Sequence, residues 1–142
     1  MRLALALLLV AAAAAPARAE TVVVEMKGFR SDKSKALVAL FAAKDGFPNH
    51  PKKAMRRVEV NIKNRAAVAI LSDVAPGTYA VAVLHDEDGN KAMKTGLFGI
   101  PKEGYGASQD ARGNFGPPPF GEAKFALRPG RKLTTRIKMA YH

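Results

Sequence analysis

Apolar and polar residues alternate with a period of two along much of the chain after residue 20. The alternation is clearest in 21–26, 58–63 and 133–139, where apolar side chains share one face. This period is typical of antiparallel strands that bury one face. The side chains predicted to point inward are Val22, Val24, Met26, Val58, Val60, Ile62, Leu133, Ile137 and Met139.

Other apolar runs show less alternation. Segments 36–41, 66–71 and 79–84 are almost continuously apolar, which predicts central strands of a two-layer structure. Segment 123–127 is a seventh, short candidate strand. Helical structure is predicted for no more than one or two turns within 51–57.

The connections between these runs contain turn-forming residues. Asn64, between Lys63 and Arg65, is expected to close a hairpin because asparagine tolerates a positive φ. Pro76-Gly77 suits the centre of a type II turn. The sequence therefore predicts an all-β fold, a single antiparallel β-sandwich of about seven strands over residues 20–142.

The first 19 residues have a different composition. Arg2 is followed by a short apolar stretch, and Ala17-Arg18-Ala19 has the small residues of a cleavage site. This arrangement predicts a signal peptide over residues 1–19, with cleavage near Ala19 and a periplasmic or secreted mature protein. The apolar stretch is shorter than a membrane span, and no transmembrane segment is expected in the mature chain.

The amino-acid composition excludes some kinds of catalysis and favours some kinds of partner. The chain has no cysteine, which excludes thiol catalysis, cysteine-ligated zinc and disulfide exchange. Its formal net charge is +11, which favours weak association with acidic lipids or glycans, although a solvated basic surface without a specific partner is the simpler alternative. Nucleic acid binding is not expected, because the basic cluster within 52–57 has only Phe47 as an aromatic neighbour.

Four segments, 39–48, 76–90, 98–106 and 111–120, have distinctive sequences. The second reads Pro-Gly-Thr-Tyr-Ala-Val-Ala-Val-Leu-His-Asp-Glu-Asp-Gly-Asn, and the fourth Ala-Arg-Gly-Asn-Phe-Gly-Pro-Pro-Pro-Phe. Through them the chain resembles the bacterial family called domain of unknown function 2141. The resemblance covers essentially the whole mature chain. It implies export and a small sandwich of immunoglobulin-like or transthyretin-like type, and it implies no particular activity.

Three oxygen-bearing side chains, Asp86, Asp88 and Asn90, stand at alternate positions after the 79–84 strand. Calcium prefers several oxygen ligands, so this spacing resembles the start of a calcium loop. Later ligand positions of such a loop are not filled, and Glu103, Asp110 or a backbone carbonyl would have to complete a site. The alternative is a hairpin tip, because Asp-Gly is a preferred type I′ turn pair.

The departure from the family pattern weakens the metal interpretation. Members often continue this turn as Asn-Gly-Lys-Leu-Asp, whereas here Asn90 is followed by Lys91, Ala92, Met93 and Lys94. The change removes a carboxylate and adds positive charge. The sequence therefore predicts that calcium binds weakly or not at all.

The segment from His85 to Phe120 is long and rich in glycine, proline and aromatic residues. Long connections of this kind are usually functional or disordered, and buriable side chains argue against disorder. We predict a recognition surface at this end of the sandwich; the alternative is a loop that only covers a sheet edge. The candidate ligand-binding residues are His85, Lys102, Glu103, Tyr105 and Arg112.

These observations favour an exported, non-enzymatic binding or envelope-accessory module. The alternative is a small periplasmic enzyme that uses His85, Asp86 and Glu103 as acid–base groups. No nucleophile motif accompanies them, and neighbouring strand residues point to opposite faces, so Asp86 is poorly placed to orient His85. A histidine that ties the long loop to the strand end is the simpler interpretation of His85.

Overall fold

The computed structural model describes residues 19–93, 101–113 and 116–142. Eight strands lie within them: β1 Glu20–Lys27, β2 Lys35–Phe41, β3 Arg56–Asn61, β4 Ala66–Val74, β5 Gly77–Asp86, β6 Tyr105–Ala107, β7 Phe125–Leu127 and β8 Leu133–Lys138. A four-residue helix, α1 (Phe120–Ala123), and two short 3-10 turns, Pro51–Lys53 and Ser108–Asp110, complete the described secondary structure. None of the described helices is long and apolar enough to cross a membrane. The predicted signal peptide falls almost wholly outside the described residues.

The strands form two sheets. The first has the order β4-β1-β8, with β1 antiparallel to β4 and parallel to β8. The second has the order β3-β2-β5-β6 and is antiparallel, and β7 also pairs with β5. The predicted all-β sandwich is confirmed. The parallel pairing of the first and last strands is the departure from a purely antiparallel arrangement.

The main core lies between the sheets. The inward side chains of β1, Val22, Val24 and Met26, are fully buried, as the alternation predicts. Ile137 and Met139 meet them from β8 and the residues just after it. Burying one face of each sheet in this way removes a large apolar area from water, which is the main stabilisation of such a fold.

A second, smaller core covers the outer face of the second sheet. Phe41 packs edge-on against Phe47 at 5.3 Å, and Phe47 packs against Phe120 at 5.8 Å. Because β2 and β5 are thus covered on both faces, 36–41 and 79–84 are continuously apolar, and their prediction as central strands is confirmed.

The same prediction for 66–71 is wrong. This segment belongs to β4, an edge strand of the first sheet, and its burial alternates. Val68 and Ile70 point outward with 54% and 64% of their surface exposed. Because Val68 and Ile70 are apolar although they face outward, the sequence of this segment resembles that of a strand buried on both faces.

The tight turn expected at Asn64 forms, but the predicted hairpin does not, because β3 and β4 belong to different sheets. Asn64 and Arg65 both have positive φ, 54° and 58°, as a type I′ turn requires. Lys63 and Ala66 exchange backbone hydrogen bonds of 2.9 and 3.1 Å across it. The turn carries the chain from β3 in the second sheet to β4 in the first.

The predicted long segment from 85 to 120 contains more regular structure than expected. It includes the short strand β6, which pairs with β5 through residues 82–84. Tyr105 of β6 also forms a bridge with Ala140, which links the edge of the second sheet to the end of the first. Within 51–57 the helical structure is one 3-10 turn, and β3 begins at Arg56.

Candidate functional site

Three carboxylates meet where β5 ends. Asp86 is the last residue of β5, Asp88 follows in the turn, and Glu103 lies just before β6 on the returning chain. The His85 N–H donates to the carbonyl of Gly104 at 2.8 Å, which continues the β5–β6 pairing and brings the two chain segments together. One oxygen from each of the three carboxylates lies within 4.8 Å of the others. We call Asp86, Asp88 and Glu103 the carboxylate cluster.

Asp86 is the buried member, with 2% of its surface exposed. Its Oδ2 accepts a hydrogen bond of 3.0 Å from the Lys91 N–H, whereas its Oδ1 is buried without a hydrogen-bond partner among the described residues. The pKa of the Asp86 carboxyl is raised, chiefly by burial; the hydrogen bond from the Lys91 N–H lowers this pKa, whereas a side-chain hydrogen bond with Asp88 and the charges of Glu103 and Asp88 raise it. The ionised form of Asp86 is therefore in an unfavourable environment unless a positive charge joins it.

The turn after Asp86 is held by local hydrogen bonds. Asp88 Oδ1 accepts from the Asn90 N–H at 3.1 Å, and Asn90 Oδ1 accepts from the Ala92 N–H at 2.9 Å. Gly89 has a φ of +73°, but Asp88, which the structure also describes, does not share the positive φ that a type I′ tip requires. The hairpin-tip interpretation is therefore wrong: the partner strand of β5 starts only at Tyr105.

Glu103 is distant from Asp86 and Asp88 in the sequence, but the fold brings its carboxylate next to theirs. It is buried, and its Oε2 accepts from the Glu87 N–H at 2.7 Å and, more weakly, from the Asp88 N–H at 3.5 Å. The acidic side chains that meet are thus Asp86, Asp88 and Glu103. Asn90, the third residue of the predicted metal site, accepts from the Ala92 N–H through its Oδ1. Of the alternatives considered to complete the site, Asp110 accepts from the Lys138 N–H instead.

His85 precedes Asp86 in β5 and is completely buried. Its Nε2 is 2.8 Å from the carbonyl oxygen of Lys33, so Nε2 must carry the proton and donate it. Its Nδ1 then accepts from the Tyr141 hydroxyl at 2.7 Å. Burial raises the pKa of Tyr141, which keeps that hydroxyl protonated. The His85 side chain thus connects β5 to the β1–β2 connection through Lys33 and to the last residues through Tyr141. The sequence had indicated that this side chain would bond the long loop instead.

A shallow depression of about 320 Å³ lies above the cluster. Its lining residues are Arg30, Lys33, Glu87, Asp88, Lys102 and Glu103. Arg30 forms an ion pair with Glu87, donates to the Lys102 carbonyl at 3.0 Å and stacks 4.8 Å above the Tyr141 ring. Sequence reasoning missed Arg30 and Lys33, because they lie in the β1–β2 connection and no local pattern marks them.

The predicted ligand-binding residues are therefore distributed over several places. Lys102 and Glu103 line the depression, and the buried His85 donates to the carbonyl of Lys33, another lining residue. Tyr105 stacks on His142 with ring centroids 5.5 Å apart, and Arg112 donates to the Lys138 carbonyl at 2.9 Å and to Asp110 at 3.3 Å. The structure does not bring Tyr105 and Arg112 to the lining of this depression.

The ammonium group of Lys91 forms its ion pair with Glu59, which is not part of the cluster. This pair, with Glu59 on β3, measures 3.1 Å, while the backbone N–H of Lys91 faces Asp86. Lys94, the second lysine that distinguishes the turn from the family pattern, lies outside the described residues.

The fold and the site define a small β-sandwich protein with a polar, carboxylate-bearing end. Residues 24–135 match the family described as uncharacterized protein conserved in bacteria, DUF2141, and the chain belongs to that family. No curated protein and no solved structure matches the chain.

Proposed function

We propose that this protein is an exported, non-enzymatic binding module, periplasmic or secreted, whose site is the carboxylate cluster, and that the cluster binds calcium weakly. The observation that carries the proposal is Asp86 Oδ1, which is buried without a hydrogen-bond partner among the described residues and belongs to the group formed with Asp88 and Glu103. Buried polar atoms are nearly always satisfied, and a cation held by the three carboxylates would satisfy this one.

The spacing of the oxygens suits calcium. Calcium–oxygen distances of about 2.3–2.6 Å allow ligands on opposite sides of the ion to lie roughly 5 Å apart, and the cluster oxygens fall within 4.8 Å. Carboxylate oxygens select hard cations rather than zinc or copper. The nearest histidine, His85, has both ring nitrogens engaged.

Weak affinity is expected because three protein carboxylates do not complete a shell of six to eight oxygens. Extracellular calcium modules of this kind bind at about 10⁻⁴–10⁻³ M. Lys91 opposes the ion less than its sequence position suggests, because its ammonium group pairs with Glu59. The ion would fasten the β5 end to the residues before β6 and thereby hold the two ends of the connecting loop together.

The alternative of a small enzyme gains no support from this geometry. An acid–base role for His85 would require a ring nitrogen that faces a substrate, and both are bonded inside the protein. The carboxylates of Asp86 and Glu103 accept hydrogen bonds from backbone N–H groups, and carboxylate oxygens can accept such bonds and contact a cation at the same time.

Isothermal titration calorimetry tests the proposal. Calcium is expected to bind the purified protein with one site and more tightly than magnesium. Asp88→Asn, which keeps the shape of an exposed ligand and removes its charge, should weaken calcium binding by about tenfold. Asp45→Asn is the matched control, because Asp45 forms a surface ion pair with Lys53 away from the cluster. Absence of calcium binding, or equal weakening by both substitutions, would refute the proposal.

A further inference from the structure

We propose that the depression above the cluster binds an acidic saccharide, whose carboxylate bridges the calcium ion and the ammonium groups of Lys33 and Lys102. This inference rests on the proposed calcium site and names the ligand class for it. Three features support it. The cluster offers calcium only three carboxylates, the ammonium groups of Lys33 and Lys102 have no partner among the described residues, and the polar depression shares Asp88 and Glu103 with the cluster.

The three carboxylates of the cluster would leave calcium incompletely coordinated. The cluster offers three carboxylates, and calcium takes six to eight oxygens. Asp88 and Glu103 belong both to the cluster and to the lining of the depression. Because the depression adjoins the cluster, water or a ligand oxygen in the depression can fill remaining coordination positions.

Lys33 and Lys102 line the same depression and are solvent-exposed. Their ammonium groups form no ion pair or hydrogen bond with any residue in the described part of the chain. Their backbones are nevertheless fixed, because the Lys33 carbonyl accepts from His85 at 2.8 Å and the Lys102 carbonyl accepts from Arg30 at 3.0 Å. Two lysines with anchored backbones therefore border the depression, while Arg30 is already paired with Glu87.

Calcium changes the electrostatics of the site. Among the described residues, the acidic side chains of the cluster and Glu87 lie beside the basic side chains of Arg30, Lys33 and Lys102. A calcium ion in the cluster adds two positive charges next to the depression. An anion should therefore bind in the depression more strongly when calcium is present.

The lining favours a saccharide over a membrane lipid. The large apolar side chains exposed in the described ranges are Met55, Val68 and Ile70, and none of them lines the depression. A surface without apolar side chains offers nothing to acyl chains, whereas sugar hydroxyls suit both calcium and lysine. The volume of about 320 Å³ is at the lower end of the range for ligand pockets, which suits one sugar unit.

A chemical-shift titration with galacturonate tests this inference, and galactose is the matched neutral sugar. At saturating calcium, galacturonate should shift the amide signals of Glu87 and Asp88 and bind about tenfold more tightly than galactose or than galacturonate in chelator. Lys33→Gln and Lys102→Gln should each weaken galacturonate binding severalfold without weakening calcium binding. Lys44→Gln, at an exposed lysine outside the depression, should change neither.

The outcomes separate this inference from the proposed function. If calcium binds but galacturonate binds no better than galactose, or equally well in chelator, the saccharide inference is wrong and the calcium site stands. If phosphatidylglycerol vesicles bind in calcium and galacturonate does not, the ligand is a lipid surface and the inference is also wrong. If calcium itself does not bind, both proposals fail.

Discussion

At the scale of single residues, Asp86 and His85 are neighbours with opposite environments. His85 is buried with both ring nitrogens bonded, so its burial is compensated. Asp86 is buried with one oxygen left without a partner among the described residues. The first arrangement stabilises the fold, and the second destabilises it until a proton or a cation reaches the carboxylate.

The pH dependence of stability should report on Asp86. Its pKa is raised in the folded protein, chiefly by burial, so the folded state holds the proton more tightly than the unfolded chain does. The stabilising contribution of the protonated form is fully present below the unfolded pKa of about 3.9 and is lost as the pH rises through the folded pKa. In chelator, wild-type stability should therefore decline over this window more than that of Asp86→Asn. Urea unfolding at a series of pH values measures the difference, and parallel curves would contradict it.

Tyr141→Phe tests how much the hydrogen bond between the Tyr141 hydroxyl and His85 stabilises the fold. The substitution leaves His85 Nδ1 buried without its 2.7 Å donor, which should lower the free energy of unfolding by about 1–3 kcal/mol. Tyr105→Phe is the matched control, because it also removes a hydroxyl bonded to a histidine, His142, but at an exposed position. Its effect should stay within about 0.5 kcal/mol in the same urea titration. Equal losses in the two variants would show that His85 does not need this partner.

At the scale of elements, β6 connects the site to the core although it has only three residues. It pairs with β5 on one side, and Tyr105 bridges to Ala140 on the other. Gly106 lies where a Cβ would come within 2.5 Å of Ile137 Cγ2. The strand can approach the first sheet this closely because the residue at this position has no side chain.

Gly106→Ala should therefore lower the free energy of unfolding by about 1–3 kcal/mol, because the added Cβ would force the fully buried Ile137 side chain to shift. Gly121→Ala in α1 is the control: a Cβ there meets nothing within 4 Å among the described residues. That variant should be neutral or more stable by up to about 1 kcal/mol. Thermal unfolding of both variants checks the contrast, and a neutral Gly106→Ala would mean that β6 is not packed as described.

The predictability of each element follows from its residues. The seven strands expected from apolar runs all form, because alternation and burial reflect the same two-residue period. β6 was missed because Tyr-Gly-Ala is too short and too small to show a period. Asp86 and Asp88 could be found from local spacing, whereas Arg30 and Lys33 reach the site only through strand pairing across distant parts of the chain.

At the scale of the whole molecule, the residues of the site come from three places in the sequence. The β1–β2 connection supplies Arg30 and Lys33, the β5 end supplies Asp86 and Asp88, and the residues before β6 supply Lys102 and Glu103. Tyr141, near the chain end, bonds both the Arg30 N–H and His85. The site therefore exists only when both sheets are assembled, and its stability is linked to that of the fold.

Export is the prediction that concerns the chain as a whole. Cleavage near Ala19 would remove Arg2 and Arg18 and leave residues 20–142, with 21 − 12 = +9 formal charges. Expression of the full sequence in a bacterium should yield a periplasmic or secreted protein that starts at or near Glu20. N-terminal sequencing identifies the start, and a protein that retains residues 1–19 in the membrane would contradict the prediction.

The central claim is that a cation occupies the carboxylate cluster, and anomalous diffraction from crystals soaked in calcium tests it most directly. We predict one anomalous peak about 2.3–2.6 Å from an oxygen of each of Asp86, Asp88 and Glu103. Asp86 Oδ1 should be among the contacting atoms, since it is the buried oxygen without a described partner. No peak at the cluster at saturating calcium, with Asp86 Oδ1 bonded instead to water or to a protonated carboxyl, would contradict the account.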